Sequence, residues 1–179
     1  MKRKYYIAMT VGLLGLTLDQ VAKTAARKAL SPMHAIALVP GVLEFRYAEN
    51  RGLILGLLSD LPPNLRLALF SLVSLAAAGI IIRLLGQVPD RSRLMPAALG
   101  SILAGAFGNL ADRFRWGAVT DFIRVQLSPN YSWPTFNPAD ALLAIGIILL
   151  VLDALFGRRE PESKGEEAPP PAPEEVAAN

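Results

Sequence analysis

The chain has 179 residues, 53% of them hydrophobic and 18% charged, against about 25% charged residues in an ordinary water-soluble domain. It has no cysteine and one histidine, His34, which excludes disulfides, thiolate nucleophiles and histidine-based metal cages and leaves a Ser-His-Asp triad only that one side chain to be built on. The net charge of +3 divides unevenly: residues 1–159 carry +8 and residues 160–179 carry −5.

In chain order, Lys2-Arg3-Lys4 precedes the uncharged run from Tyr5 to Leu18. Crossing the ~30 Å of bilayer hydrocarbon takes about 20 mostly apolar residues in a helix, so a first span is expected over about residues 5–24. Asp19-Gln20-Val21-Ala22-Lys23 continues the helical pattern where a signal peptide would show a small-residue cleavage site, so the span is read as retained. Val39-Pro40-Gly41 reads as a turn. From Val42 to Tyr47 the chain alternates, with Leu43, Phe45 and Tyr47 on one side and Glu44 and Arg46 on the other, the period of a strand. Further spans follow over about residues 66–84, 94–113 and 137–157. Ala97, Ser101 and Gly105, with Ala104 and Gly108, put small residues at fourfold spacing on the third, which lets helix backbones approach closely in lipid.

The predicted fold is an all-α membrane protein: four transmembrane helices with a small extracytoplasmic β-sheet and a short outer helix. Residues 1–159 form the membrane-embedded domain, and the Pro/Glu-rich segment 160–179 has almost nothing apolar to bury and reads as a disordered cytoplasmic tail. Lysines and arginines gather before span one, between spans two and three, and after span four, which puts both termini in the cytoplasm and segments 19–66 and 112–137 outside. The basic residues are scattered between apolar runs, so membrane lipid, not nucleic acid, is the expected partner. Trp116, Tyr131 and Trp133 suit an interfacial aromatic belt.

Carboxylates near membrane depth are costly and therefore invite a functional explanation. Asp121, in Gly117-Ala118-Val119-Thr120-Asp121-Phe122, and Asp140, in Phe136-Asn137-Pro138-Ala139-Asp140, would meet at one level if spans three and four are antiparallel neighbours. Two full charges about 3 Å apart repel by roughly 5 kcal/mol at an effective dielectric near 20, so such a pair retains one proton near neutrality. One member then serves as general base towards water and the other as acid, which is peptide hydrolysis without cysteine, histidine, serine or metal. Local alternatives remain open at each position. Asn137 and Asp140 also make a good helix start. Asp121 can pair with Arg124 or Arg113, and Asp112 with Arg113. Asp19 and Lys23 stand at i, i+4. Asp153 reads as structural and His34 as a loop residue.

Gly108-Asn109-Leu110-Ala111-Asp112-Arg113, the two motifs around Asp121 and Asp140, and Asp19-Gln20-Val21-Ala22-Lys23, in this order between these spans, closely resemble the lipoprotein signal peptidase family (signal peptidase II). The resemblance runs from about residue 8 to residue 157. It implies an aspartic endopeptidase of the bacterial plasma membrane, acting near the outer face on diacylglyceryl-modified prolipoproteins and cutting before the lipidated cysteine. It also implies no cofactor and no metal, and a monomer is expected. The family's catalytic aspartates map onto Asp121 and Asp140, and its supporting residues onto Asp19, Lys23, Asn50, Gly52, Asn109, Arg113 and Asn137. Asn109 and Asn137 would position the dyad or the substrate backbone; Lys23 and Arg113 would engage carbonyl or lipid head-group oxygens. The family's N-x-G-A-A-F becomes Asn50-Arg51-Gly52-Leu53-Ile54-Leu55 here, a departure that bears on substrate range and on sensitivity to the family's cyclic peptide antibiotics. Two alternatives stand beside this reading. A specialised or silent paralogue would bind lipidated peptides. A small ion-coupled transporter would show midplane charges and internal repeats, and neither is apparent.

Overall fold

The computed structural model describes residues 2–31, 35–52 and 60–156. In chain order the elements are α1 (Arg3–Ala29), β1 (Ile36–Val39), β2 (Leu43–Asn50), α2 (Pro63–Gln87), α3 (Leu94–Trp116), β3 (Val119–Ser128), β4 (Tyr131–Ser132) and α4 (Pro138–Phe156). All four helices are long and apolar enough to cross a membrane. Four long apolar helices with a small antiparallel sheet are what composition and spacing predicted.

The bounds differ from expectation mainly in α1, which continues five residues beyond position 24 to Ala29. Asp19 and Lys23, read from the sequence as continuing the helix, do so: they neutralise each other at 3.0 Å and are buried against α3. A helix of 27 residues is about 40 Å long, enough to project past the hydrocarbon. Among the described residues no short helix stands outside the four long ones. His34, Leu53-Ile54-Leu55-Gly56 and the tail from residue 157 lie outside the described residues.

The helix α3 is the centre of the bundle, with 56% of its apolar window buried against 22% or less for the other three. Small residues make this possible. The Gly100 Cα faces the Ala8 carbonyl of α1 with no room for a Cβ, and Gly105 faces the Ala139 carbonyl and Leu143 of α4 in the same way. The Ser101 hydroxyl donates to the Leu142 carbonyl at 2.9 Å, which satisfies it without water. At the end of the bundle where α1 begins, Lys4 Nζ donates to the Gly86 and Val88 carbonyls at 2.8 and 2.6 Å and so ties α1 to the C-terminus of α2.

The sheet lies at the opposite end, in the order β1-β2-β3-β4, antiparallel throughout. The alternation read from Val42 to Tyr47 is interrupted: the register between β2 and β3 shifts between Phe45 and Ala48, and Ala48 pairs with Asp121. Gly117, at φ +71°, ends α3 in the left-handed region that suits glycine, and its N–H donates to the Arg113 carbonyl at 3.0 Å. The chain then reverses directly into β3. Just before α4, Phe136 pairs with Ile123, its carbonyl accepting the N–H groups of Phe122 and Ile123. That stitch sets Asn137 beside Asp121.

Candidate active site

Asp121 sits in the buried first half of β3, 3% exposed, and Asp140 in the first turn of α4. Asn137 caps α4. Its Oδ1 accepts the Asp140 N–H at 3.0 Å, while Asp140 Oδ2 accepts the Asn137 N–H at 3.2 Å, a reciprocal box that satisfies two donors of the helix start. Helix capping and a place in the cluster are therefore held by the same side chains.

With Oδ1 so committed, the Asn137 amide nitrogen turns the other way. It donates to Asp121 Oδ1 at 2.6 Å and to Asn109 Oδ1 at 3.2 Å. Asn109 Nδ2 donates to Asp140 Oδ1 at 2.8 Å, and Asn50 Nδ2 to Asp121 Oδ2 at 3.1 Å. Among the described residues, each of the four carboxylate oxygens thus accepts one N–H from a neutral group. None of these partners carries a positive charge. Burial, followed by the charge of Asp140, pushes the Asp121 carboxyl up from its ordinary 3.8 to about 6, against the pull of the bonds from Asn137 and Asn50 and the charge of Lys23.

The remaining predicted residues surround this centre. The Gly52 N–H donates to Asn50 Oδ1 at 3.1 Å, and the Gly52 carbonyl accepts from Arg113 Nη2 at 3.0 Å. Arg113 also reaches the Asn109 carbonyl, and its guanidinium lies 3.9 Å from the centre of the Phe70 ring of α2. These bonds hold the chain after β2 against α3, beside Asp121. Asp19 Oδ1 accepts the Ala139 N–H at 2.9 Å and Lys23 Nζ donates to Asn109 Oδ1 at 2.8 Å.

Three side chains differ from their sequence reading. Lys23 makes the i, i+4 pair with Asp19 that the spacing offered, but in place of head-group oxygens it meets Asn109 and Asp112 and is 2% exposed. Asp112 does not pair with its neighbour Arg113; its Oδ2 accepts the Thr120 N–H at 2.8 Å and lies 3.6 Å from Lys23 Nζ. Arg124, a candidate partner for Asp121, instead bonds Glu44 and Ser132. Sequence reasoning also passed over Gln20, which bridges Asp19 and Asp112, and Arg27, which donates to Thr120 Oγ1 at 2.7 Å and stacks on Trp116. One signal for Asp112 was available: it stands three residues after Asn109 and so shares its helix face.

Comparison with known proteins agrees with this layout. Residues 11–156 match the family model described as Signal peptidase (SPase) II. The chain is similar to the lipoprotein signal peptidase of Geobacter sulfurreducens, with 37% identity covering 89% of this chain and 98% of that one. It is also similar to the lipoprotein signal peptidase of Staphylococcus carnosus, with 32% identity over 89% and 98% of the two chains. Among solved structures, a bacterial membrane enzyme determined by the in meso method superposes with a TM-score of 0.76 at 26% identity, covering 92% of this chain and 99% of that one. Matched in sequence and in fold over most of its length, the chain belongs to the signal peptidase II family.

Proposed function

We propose that this protein is an aspartic endopeptidase of the bacterial plasma membrane that removes signal peptides from diacylglyceryl-modified prolipoproteins, cutting before the lipidated cysteine. Family membership supports removal of lipoprotein signal peptides. The observation that carries the aspartic mechanism is the Asn137 bridge, which bonds Asp121 Oδ1 at 2.6 Å while locked to Asp140 in the capping box.

Asp121, whose carboxyl is pushed up by burial and by the charge of Asp140, serves as the acid, and Asp140 serves as the base. Asp140 takes a proton from water as the water oxygen attacks the scissile carbonyl carbon, while Asp121 gives its proton to the carbonyl oxygen. Collapse of the resulting diol breaks the C–N bond. Asp140 passes its proton to the leaving nitrogen and Asp121 recovers its own from the diol oxygen. Arg113 Nε, buried and without a partner among the described residues, is the donor left for a substrate carbonyl.

The basic residues at the start of α1 and between α2 and α3 favour a cytoplasmic placement of that end. The sheet and both aspartates then face outwards, where lipidated precursors emerge. The chain acts as a monomer among membrane lipids. The test is cleavage of a diacylated prolipoprotein, and of its unlipidated form, by wild type, Asp121→Asn and Asp140→Asn. Each substitution should abolish cleavage in a protein that still inserts, and the unlipidated precursor should be a poor substrate. Normal processing by either variant refutes the assignment.

A further inference from the structure

Behind the two aspartates lies a second, fully buried tier of charge that the proposed chemistry does not use. Asp112 accepts the peptide N–H of Thr120, the residue before Asp121, at 2.8 Å. Asp19 accepts the peptide N–H of Ala139, the residue before Asp140, at 2.9 Å. Lys23 Nζ stands between them, 3.0 Å from Asp19 Oδ2 and 3.6 Å from Asp112 Oδ2. Asp19, Lys23 and Asp112 are 0%, 2% and 2% exposed. Gly108 provides the space, since a Cβ there would fall 2.5 Å from Asp19 Oδ2.

Lys23 has one more partner. An ammonium has three donors and no acceptor, so Asn109 must turn its Oδ1 to Lys23 and therefore its Nδ2 to Asp140. The same Asn109 Oδ1 accepts from Asn137, whose second amide hydrogen then goes to Asp121. One cation fixes the sense of the Asn109 amide, and the capping box fixes that of Asn137 to match.

Resting on the peptidase reading above, we propose that Asp19, Lys23 and Asp112 form a positioning frame. The two carboxylates hold the backbone immediately before each member of the dyad. The lysine joins the carboxylates and fixes which way the Asn109 amide faces. None of the three touches substrate. A buried pair of carboxylates around one lysine is a poor source of net stability, because desolvation offsets most of the Coulomb gain. Its use lies in geometry, where a displacement of about 1 Å costs on the order of 10²-fold in rate.

The frame is tested on the full chain in detergent or nanodiscs by two independent readouts. The first is hydrogen exchange. Asp112→Ala should speed exchange at the Thr120 amide and leave Ala139 protected, and Asp19→Ala should do the reverse; speeding at both sites or at neither overturns the frame. The second is kinetics on a diacylated prolipoprotein. Asp112→Ala and Asp19→Ala should lower kcat by about 10²-fold with KM within about twofold of wild type. Asp112→Asn, which keeps an acceptor for the Thr120 N–H, should recover at least tenfold of that loss. Lys23→Gln, which removes the charge but can still donate to Asn109, should fall between the two. A loss confined to KM, or equal loss in Asp112→Asn and Asp112→Ala, overturns the proposal. Cleavage by Asp121→Asn would instead overturn the peptidase reading, and the exchange pattern would still judge the frame.

Discussion

Asn137 Nδ2 lies 2.6 Å from Asp121 Oδ1, a short bond between the cap of α4 and the buried half of β3. The two residues meet because Phe136 is stitched to Ile123, so the bond is set by backbone pairing and not by side-chain reach. Asn137→Ala removes this bond, the capping box and the second donor to Asn109 together. The cap alone is worth about 1 kcal/mol, and melting should fall accordingly. Cleavage should fall much further, by about 10²-fold in kcat, because the side-chain donor to Asp121 Oδ1 and the acceptor for the Asp140 N–H are lost together. A variant whose activity loss matches only its loss of folded protein would show that the bridge is structural alone.

Activity should depend on pH through Asp121. The mechanism needs its proton, and the carboxyl is raised to about 6, so kcat/KM should decline on the alkaline side with a midpoint near pH 6. The hydrogen bond from Asn50 works against that rise by favouring the ionised form. Removing it in Asn50→Ala should move the alkaline limb to higher pH. A limb that moves down, or stays fixed, contradicts the assignment of the proton to Asp121.

The same raised carboxyl makes wild type less stable than it need be. Asp121 binds its proton more tightly folded than unfolded, so between about pH 4 and pH 6 the folded state carries the extra proton and stability falls as pH rises. Above that window the whole cost is present. Going from 3.8 to about 6 corresponds to about 3 kcal/mol, and the amide, with one acceptor where the carboxylate has two, returns about 1–2 by leaving Asn137 or Asn50 without its acceptor. Asp121→Asn should therefore melt several degrees above wild type at pH 7.5, with the gap closing below pH 4. Equal melting temperatures at pH 7.5 would show that the carboxyl is not strained in the fold.

Much of this was legible in the sequence, for definite reasons. Uncharged runs of helical length marked the four spans, and Asp121 and Asp140 stood out as carboxylates in apolar settings. The end of α1 was less legible: the span was carried through Asp19 and Lys23 to about residue 24, but the helix runs on to Ala29. Asn109 and Asp112, which make Lys23 a buried residue, lie on another helix, and no local pattern connects them. For Asp112 an adjacent arginine supplied a plausible but wrong partner. The break in alternation after Phe45 is a property of the pairing with β3, so period-two reasoning within β2 had no access to it.

The closeness of α3 and α4 is where packing and chemistry meet. A Cβ on Gly105 would strike the Ala139 carbonyl and come within 2.6 Å of Leu143 Cγ. Backbone cannot yield as a flexible side chain does, so Gly105→Ala must push the first turns of α4 away from α3. That turn carries Asp140, and Asn109 holds Asp140 from the α3 side at 2.8 Å. The substitution should therefore cost about 1–3 kcal/mol as overpacking and also lower turnover, with kcat reduced by about tenfold or more in the protein that remains folded. Gly79, inside α2, has nothing within 4 Å of its would-be Cβ, so Gly79→Ala is the matched control: it should leave cleavage unchanged and, by helix propensity, stabilise by up to about 1 kcal/mol. Comparing the two by thermal unfolding and by single-turnover cleavage separates a general glycine effect from one transmitted through α4. If Gly105→Ala lowers melting but leaves kcat at the wild-type value, the helix contact does not set the position of Asp140.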